Sequence, residues 1–474
     1  MKVLFVERDV EYIDPMNVQL LSALAKQRGH STFLTILSHD DLDADLRRIR
    51  PDVVAFSAKT GEHTTYIRAA EAVKTYSRSI FTIMGGPHPT FFPGLILTRE
   101  FDAIAIGECD DSWQELLDGL EAGRSIDAIP NIVTRANATK VLRAKTKAPE
   151  VVQLAGAAAS ARPEYDLEVD PTFLRPRRTV LDDLPFYDRE LVYRKTHLAH
   201  FPLRSFMSSR GCPYQCTYCF EPKFNVMYAG KGPIFNRYSV KRLCAELKEL
   251  KERWPTQFIK FYDDMFILDR KVDAWLAEFA EVYPREVGLP FFCLTRCNVL
   301  TPENLDINIR CRVTYAEFPV LHPYPGCELT DYAVKNGFFD GDFDKLFYSY
   351  QAESPFTCFT PKEALIQKNL SLLGPICVMF PRARWLRNLT VNALIKLPLT
   401  KLYFLPWYLA KGYLNVFRLY PLKLSVPSLF RNVAYSIQRE WRKRSPDKLL
   451  YHKRVHLDRP TTQTLGGPPP DPGR

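Results

Sequence analysis

Short apolar runs alternate with amphipathic stretches along the first 125 residues of this 474-residue chain. Runs of strand length occupy 2–6, 31–35, 52–57, 80–84 and 103–106. Between them the spacing is helical, with one stretch at 63–76 and two apolar faces formed by Leu20, Leu21, Leu24 and Ala25 and by Trp113, Leu116, Leu117 and Leu120. This alternation predicts a doubly wound parallel α/β sheet.

Glycine and polar residues follow the predicted strands of this sheet. Ligands of such sheets bind beyond the carboxyl ends of the strands, and glycines there let the backbone approach a large flat ligand. The candidate binding residues are Ser57, Thr60, Gly85, Gly86, Pro87, His88, Gly107 and Glu108. For His88 the alternative is a turn residue whose imidazole is solvated or bonded to backbone.

A second alternation begins near residue 204. Strand-like runs at 204–208, 258–262 and 291–295 are separated by helical stretches at 239–253 and 270–282. This pattern predicts a second group of parallel strands and helices; parallel α/β barrels keep their active sites at the carboxyl ends of such strands. Between the two alternations, residues 126–200 have little periodicity, and the small residues of 155–161 are typical of a linker.

Three cysteines follow the first predicted barrel strand. Cys212, Cys216 and Cys219 form a Cys-x3-Cys-x2-Cys run that can bind three corners of a cubic iron-sulfur cluster. Such clusters normally have four Cys ligands, so the fourth iron would be open to another ligand. The alternatives are a zinc loop, which would require a fourth ligand, or unrelated core cysteines.

This motif, with Tyr218 directly before the last cysteine, resembles the radical S-adenosylmethionine superfamily. The resemblance implies a (β/α) barrel that begins near residue 204, with the cysteines at the carboxyl end of its first strand. It also implies a 4Fe-4S cluster, S-adenosylmethionine (SAM), a 5′-deoxyadenosyl radical and an external electron donor. It places Tyr218, Asp263, Asp264 and Arg296 around the SAM pocket. For the two aspartates the alternative is an N-cap of the next helix.

The first 125 residues resemble the cobalamin-binding, Rossmann-like domain that precedes many of these barrels. The matching motifs are Gly-Gly-Pro-His-Pro-Thr at 85–90 and the pair Gly107-Glu108. The Asp-x-His-x-x-Gly signature that supplies a cobalt ligand elsewhere is absent, and Gly-Glu-Gly-Glu is replaced by Gly-Glu-Cys-Asp at 107–110. The resemblance implies cobalamin as a cofactor and methyl transfer to an unactivated carbon, or a related radical rearrangement.

The barrel departs from the family after Leu305. Residues 313–326 resemble the family's sixth-strand region. Two strand-helix units of about 30 residues each are expected before that region, but only a few residues lie between Leu305 and residue 313. The fourth and fifth strands are therefore predicted to be missing. The alternative function is a non-catalytic cluster- or cobalamin-binding descendant with an impaired SAM pocket.

The predicted domains are 1–125 for cobalamin, 126–200 as connector, 201–345 as an incomplete radical SAM core, and 346–474 as a helical C-terminal region. The last region is aromatic and basic. Residues 381–474 carry 18 Lys and Arg against 4 Asp and Glu, a net charge of +14. Because the whole chain carries +10, residues 1–380 carry −4. A membrane surface and a hydrophobic or lipid-like substrate suit this region, and so does a helical cap with a solvated basic face.

Composition favours a cytoplasmic enzyme that lies at most peripherally on a membrane. Eleven cysteines in a chain of this length do not form a typical secreted disulfide framework. The apolar run at the N-terminus is too short for a secretory signal. No nucleic-acid-binding motif accompanies the basic region, so a nucleic-acid partner is not expected.

Overall fold

The computed structural model describes residues 1–145, 163–268, 273–294, 322–343, 346, 354–379, 384–414, 427, 430, 431 and 434. Three predicted features lie outside these residues: the linker at 155–161, Arg296, and the segment of 305–321 in which two barrel strands are expected to be missing.

The first sheet confirms the doubly wound prediction. Its strands are β1 (Lys2–Glu7), β2 (Ser31–Ile36), β3 (Val53–Ser57), β4 (Phe81–Gly85), β5 (Ala103–Ala105) and β6 (Ile132–Thr134). Their order is β2-β1-β3-β4-β5-β6, with parallel pairing from β2 to β5 and an antiparallel last pair. The sheet therefore extends past residue 125 through β6, a three-residue edge strand too short to show periodicity.

Helices flank this sheet on both faces. They are α1 (Met16–Gln27), α2 (Leu42–Ile49), α3 (His63–Tyr76), α4 (Pro87–Phe91), α5 (Leu95–Thr98) and α6 (Asp110–Glu121). The order of the parallel strands reverses between β1 and β3, which is the point where ligands of such sheets bind.

The connector contains short elements packed against the first sheet. They are α7 (Ala138–Val141), β7 (Leu142–Ala144), α8 (Pro163–Asp166), β8 (Leu167–Val169) and α9 (Arg189–Tyr193). The strands β7 and β8 form an antiparallel pair. Val169 and Leu174 are buried in the same core as β4, so the described part of the connector is packed rather than free.

The second sheet is parallel, and its strands β9 (Leu203–Phe206), β12 (Phe258–Phe261) and β13 (Phe291–Phe292) have the order β13-β12-β9. The other elements of this part are β10 (Ser209–Arg210), α10 (Glu221–Met227), β11 (Asn236–Arg237), α11 (Val240–Arg253), α12 (Ala274–Glu286) and α13 (Glu328–Lys335). The three predicted barrel strands are thus present, and the antiparallel ribbon of β10 and β11 was not predicted.

The two sheets share one apolar core and a set of buried polar contacts. Phe5 of β1 belongs to the same buried cluster as Phe206 of β9 and Phe261 of β12. The Asp14 carboxylate accepts a hydrogen bond from the Ser205 backbone N–H at 2.9 Å and pairs with Arg189 at 3.0 Å. The edges of the two sheets are therefore held in a fixed relation.

The described C-terminal residues are helical, as predicted. They form α14 (Pro361–Met379), α15 (Arg384–Asn392) and α16 (Thr400–Leu414), with a 3-10 turn at Leu394–Lys396. None of the helices described in this chain has the length and hydropathy required to cross a lipid bilayer.

Candidate functional site

The three cysteines of the motif lie on the loop that connects β10 to β11. The loop begins at Gly211, whose φ of +82° is accessible to glycine and strained for other residues. Cys212, Cys216 and Cys219 are partly buried, and the Cys219 N–H donates to the Cys216 carbonyl at 2.9 Å. The loop follows the carboxyl end of β9, which is the edge at which a parallel barrel keeps its chemistry.

An all-thiol donor set suits iron. Partial burial raises the pKa of the Cys212 and Cys219 thiols, and backbone N–H groups oppose the shift. Cluster binding must therefore displace protons from these thiols. In the described part of the chain no three His, Cys, Asp or Glu side chains surround a single metal ion; in a cubane each thiolate binds a different iron atom.

Two neighbouring segments hold the carbonyls of this loop. From α10, the Asn225 amide nitrogen donates to the Cys212 carbonyl at 2.8 Å. From the start of α13, the Leu329 N–H donates to the Thr217 carbonyl at 3.0 Å, and the Cys327 thiol to the Tyr218 carbonyl at 3.3 Å. These contacts fix both ends of the loop, and the α13 contacts join residues more than 100 positions apart.

The turn before α13 also contacts the first domain. Gly326 has a φ of +80°, and a Cβ there would lie 2.8 Å from the Phe91 ring of α4. The Phe91 ring in turn lies 6.0 Å from that of Phe220, the residue after Cys219. The turn at 326–329 therefore contacts both the cluster loop and α4.

Replacing Cys327 by alanine is expected to loosen the cluster loop. The change removes one hydrogen bond, worth about 1 kcal/mol, so we expect iron to leave the reconstituted protein about fivefold faster in the presence of a chelator. The control is Cys358→Ala, because Cys358 is exposed. Equal rates of iron release from the two variants would contradict the role given to Cys327.

The residues expected at the SAM pocket occupy different environments. Asp263 is fully buried, and its Oδ1 accepts hydrogen bonds from the Ser208 hydroxyl at 2.8 Å and from the Ser209 hydroxyl. Burial raises the pKa of Asp263 to about 6, against the effect of both hydroxyls. Asp264 and Tyr218 are exposed.

The N-cap alternative for these aspartates is wrong. The next helix, α12, is capped by Asp273, whose carboxylate accepts from the Leu276 N–H at 2.7 Å. Asp263 instead connects the end of β12 to the residues that lead into the cluster loop. Ligand contact by Asp263, Asp264 and Tyr218 stays a prediction, and Arg296 lies outside the described residues.

The predicted cobalamin edge brings its polar residues together. His88 is fully buried, its Nδ1 lies 2.9 Å from the Thr60 hydroxyl, and its ring stacks on that of His63 with centroids 3.8 Å apart. The imidazole is therefore neither solvated nor limited to backbone contacts. The Ser57 hydroxyl accepts a hydrogen bond from the Asn17 amide at 2.5 Å.

The glycines of this edge permit close contacts within the protein. At Gly86, with φ +98°, a Cβ would lie 2.8 Å from the Ala58 carbonyl oxygen. At Gly107, with φ +66°, it would lie 2.1 Å from the Tyr228 hydroxyl. That hydroxyl accepts hydrogen bonds from the Glu108 N–H at 3.1 Å and from the Asn131 amide at 3.0 Å. Gly107 thus admits a side chain of the second domain.

Pro87 and Gly85 complete the same edge. Pro87 is the first residue of α4, where its fixed φ suits a helix start. Gly85 ends β4, and a Cβ there would make ordinary contact with Ala105 at 3.4 Å. All eight predicted residues lie at or just beyond the carboxyl ends of β3, β4 and β5, and contact with cobalamin by any one of them stays a prediction.

A partly buried ion-pair network joins this edge to the start of the cluster loop. The Arg210 guanidinium, two residues before Cys212, binds both oxygens of Asp110 at 2.5 and 3.1 Å. Glu108 lies 3.5 Å from Arg210 and 3.5 Å from Arg177. Although the Gly-Glu-Gly-Glu pattern is broken, its last position keeps a carboxylate, Asp110, which pairs with Arg210 directly before the cluster loop. The one signal of this network in the sequence is the cationic residue Arg210 next to the cysteine motif.

Glu7 ends β1 at the reversal point of the sheet and carries a perturbed carboxyl group. Burial raises its pKa to about 8, with a further contribution from Glu62. The Tyr66 hydroxyl donates to Glu7 Oε2 at 3.2 Å. The carboxyl group is therefore protonated in the folded chain at neutral pH.

This raised pKa predicts a pH-dependent stability. Between pH 4.5 and pH 8 the folded chain keeps a proton on Glu7 that the unfolded chain has released. The contribution of this group to the free energy of unfolding is therefore complete below pH 4.5 and decreases as the pH rises to 8. The loss is about 1.4 kcal/mol per pH unit. In Glu7→Gln we expect the free energy of unfolding, measured by urea denaturation, to fall less steeply between pH 5 and 8, by about 1.4 kcal/mol per pH unit. An unchanged slope would show that Glu7 ionises normally.

Known proteins resemble parts of this chain in sequence. Residues 3–117 match the B12 binding domain family. The chain is 25% identical over 266 residues to the uncharacterized methyltransferase PH0819 of Pyrococcus horikoshii, covering 54% of this chain and 50% of the relative. It is 25% identical over 297 residues to the hopanoid C-3 methylase of Methylococcus capsulatus, covering 61% and 49%.

The chain also resembles a solved structure, that of the cobalamin-dependent S-adenosylmethionine radical enzyme OxsB. The match covers 66% of this chain and 42% of the OxsB chain, with 15% sequence identity and a TM-score of 0.47. The chain spans about half the length of the curated relatives it matches. The family match confirms the expected resemblance of the first domain to a B12 binding domain, and with it cobalamin as the cofactor of that domain.

Proposed function

We propose that the protein is a cobalamin-dependent radical SAM enzyme that transfers a methyl group to an unactivated carbon, or performs a related radical rearrangement. The observation that carries the proposal is the pairing of Arg210 with Asp110. It joins the loop with three cysteines to the carboxyl edge of the B12-binding region. Chemistry that uses two cofactors requires such a fixed relation, because misplacement of reacting groups by about 1 Å is costly.

When bound, the cluster supplies an electron for SAM cleavage and cobalamin carries a methyl group. Cys212, Cys216 and Cys219 would bind the cluster and leave one iron open. Asp263 and its two serine hydroxyls would fix the chain that leads into the loop. Gly107 and Tyr228 would keep water from the junction of the domains, since their contact fills it. The substrate is proposed to be a small, hydrophobic or lipid-like molecule, as the apolar C-terminal region favours.

The test is product formation by the full chain, reconstituted anaerobically with iron, sulfide and cobalamin and supplied with SAM and a strong reductant. We expect 5′-deoxyadenosine from the loaded protein and none from Cys216→Ala. Bound cobalamin is followed separately by its visible absorbance. A loaded cluster that yields no 5′-deoxyadenosine would support the non-catalytic binding protein instead.

A further inference from the structure

The C-terminal helices have a small core of their own. It contains Leu372, Leu373, Ile395, Tyr403 and Trp407. The Asn369 amide nitrogen donates to the Ile395 and Leu397 carbonyls at 2.9 and 2.8 Å, and its oxygen accepts from the Thr400 hydroxyl at 2.7 Å. Because Asn369 is fully buried, these bonds fix the start of α16. The face that α16 turns inward is therefore set by packing.

The opposite face of α16 is apolar and faces solvent. Leu402, Leu405 and Leu409 are 66%, 62% and 62% exposed, and Tyr413 is 48% exposed. Their spacing of three, four and four residues places them on one side of the helix. In α15, Trp385 is 68% exposed. Contiguous apolar surface of this kind marks an interaction site rather than ordinary solvent-facing surface.

The charge around this face determines what can cover it. No Asp or Glu occurs between Glu363 and Glu440, whereas Lys and Arg recur throughout that stretch. Lys396 and Lys401, next to the start of α16, are exposed. A second copy of the chain would bring the same positive charge to the contact, which opposes association. The partner must combine an apolar layer with negative charge, and an anionic lipid surface does so.

We propose that α16 lies flat on an anionic membrane surface, with Leu402, Leu405 and Leu409 among the acyl chains and the lysines at the headgroups. The helix has 15 residues, fewer than the about 20 needed to span the hydrocarbon, so it rests in the interface. This inference is independent of the chemistry proposed for the cysteine loop, since it depends only on the C-terminal helices.

The test is flotation of the full chain with lipid vesicles. We expect the protein to float with vesicles of phosphatidylcholine and phosphatidylglycerol and not with phosphatidylcholine alone, and to dissociate in high salt. Changing Leu405 and Leu409 to Gln keeps the charge and removes apolar contact. This double variant is expected to bind about tenfold more weakly.

The control is Leu97→Gln, because Leu97 is 43% exposed at a distant site on α5. It is expected to float like the parent chain, and matched thermal unfolding midpoints verify that the variants fold. Flotation of the double variant equal to the parent would overturn the proposal, as would absence of flotation. If the parent chain were a dimer without lipid and the double variant a monomer, the proposal would also be overturned, and the apolar face of α16 would be assigned to a second copy of the chain.

Discussion

Replacing Gly211 with alanine is expected to unfold the cluster loop and to abolish cluster assembly. A Cβ at this position would lie 2.0 Å from the backbone oxygen of Ile234, which also accepts a hydrogen bond from Arg177 at 3.0 Å. A backbone atom held in this way cannot move aside. The positive φ adds about 1–2 kcal/mol, so the total loss of unfolding free energy should reach about 3 kcal/mol or more.

Gly230 supplies the matched control on the same loop. Its φ is +73°, but a Cβ there would meet no atom within 4 Å. Gly230→Ala should therefore cost only the backbone strain, about 1 kcal/mol, and should retain the cluster. Urea denaturation gives the stability and iron analysis gives the loading. Equal losses for the two variants would show that the contact with Ile234 is not as close as described.

Replacing Arg210 with methionine should produce the second large effect. Asp110 would remain buried without its partner, and breaking a buried pair in this way costs about 3–5 kcal/mol. Burial favours the neutral carboxyl group, but the ion pair with Arg210 keeps the pKa of Asp110 below its usual value. The stability that Asp110 contributes is therefore present above pH 4 and is lost as pH falls further.

In Arg210→Met the pKa of Asp110 should rise, so the deficit in unfolding free energy should be largest at neutral pH and smaller at pH 5. Adding Asp110→Asn should restore part of the stability. The control is Arg175→Met. Arg175 pairs at 2.6 Å with Glu115 of α6, the helix that also contains Asp110, but the Glu115 side chain is 47% exposed, so loss of this pair should cost less than about 1 kcal/mol. A similar deficit in both variants would remove the special role of the Arg210 network.

The sequence predicted the parallel strands of both sheets and missed β6 and the ribbon of β10 and β11. The strands β1 to β5 and α3 agree with the predicted runs within one or two residues, because each buries several apolar side chains. The edge strand β6 and the ribbon of β10 and β11 have two or three residues each, which is too short for a pattern. They are stabilised by tertiary contact.

The candidate site was predictable in its chemistry and not in its contacts. The spacing of the three cysteines is local, so the sequence displays it. The contact of Cys327 with the Tyr218 carbonyl joins positions 109 residues apart, and nothing in the sequence of either segment signals it. At Gly107 the pattern predicts close approach of the backbone to a ligand, and nothing in the sequence indicates that the Tyr228 hydroxyl lies next to this glycine.

The central claim is that Cys212, Cys216 and Cys219 bind a cubic iron-sulfur cluster with one open iron. The most direct measurement is iron and sulfide content, with the low-temperature paramagnetic resonance of the reduced protein, after anaerobic reconstitution of the parent chain and of each cysteine-to-alanine variant. The account predicts about four iron atoms per parent chain, a resonance that SAM perturbs, and loss of both in each variant. A cluster that survives all three substitutions, or a parent chain that binds none, would contradict it.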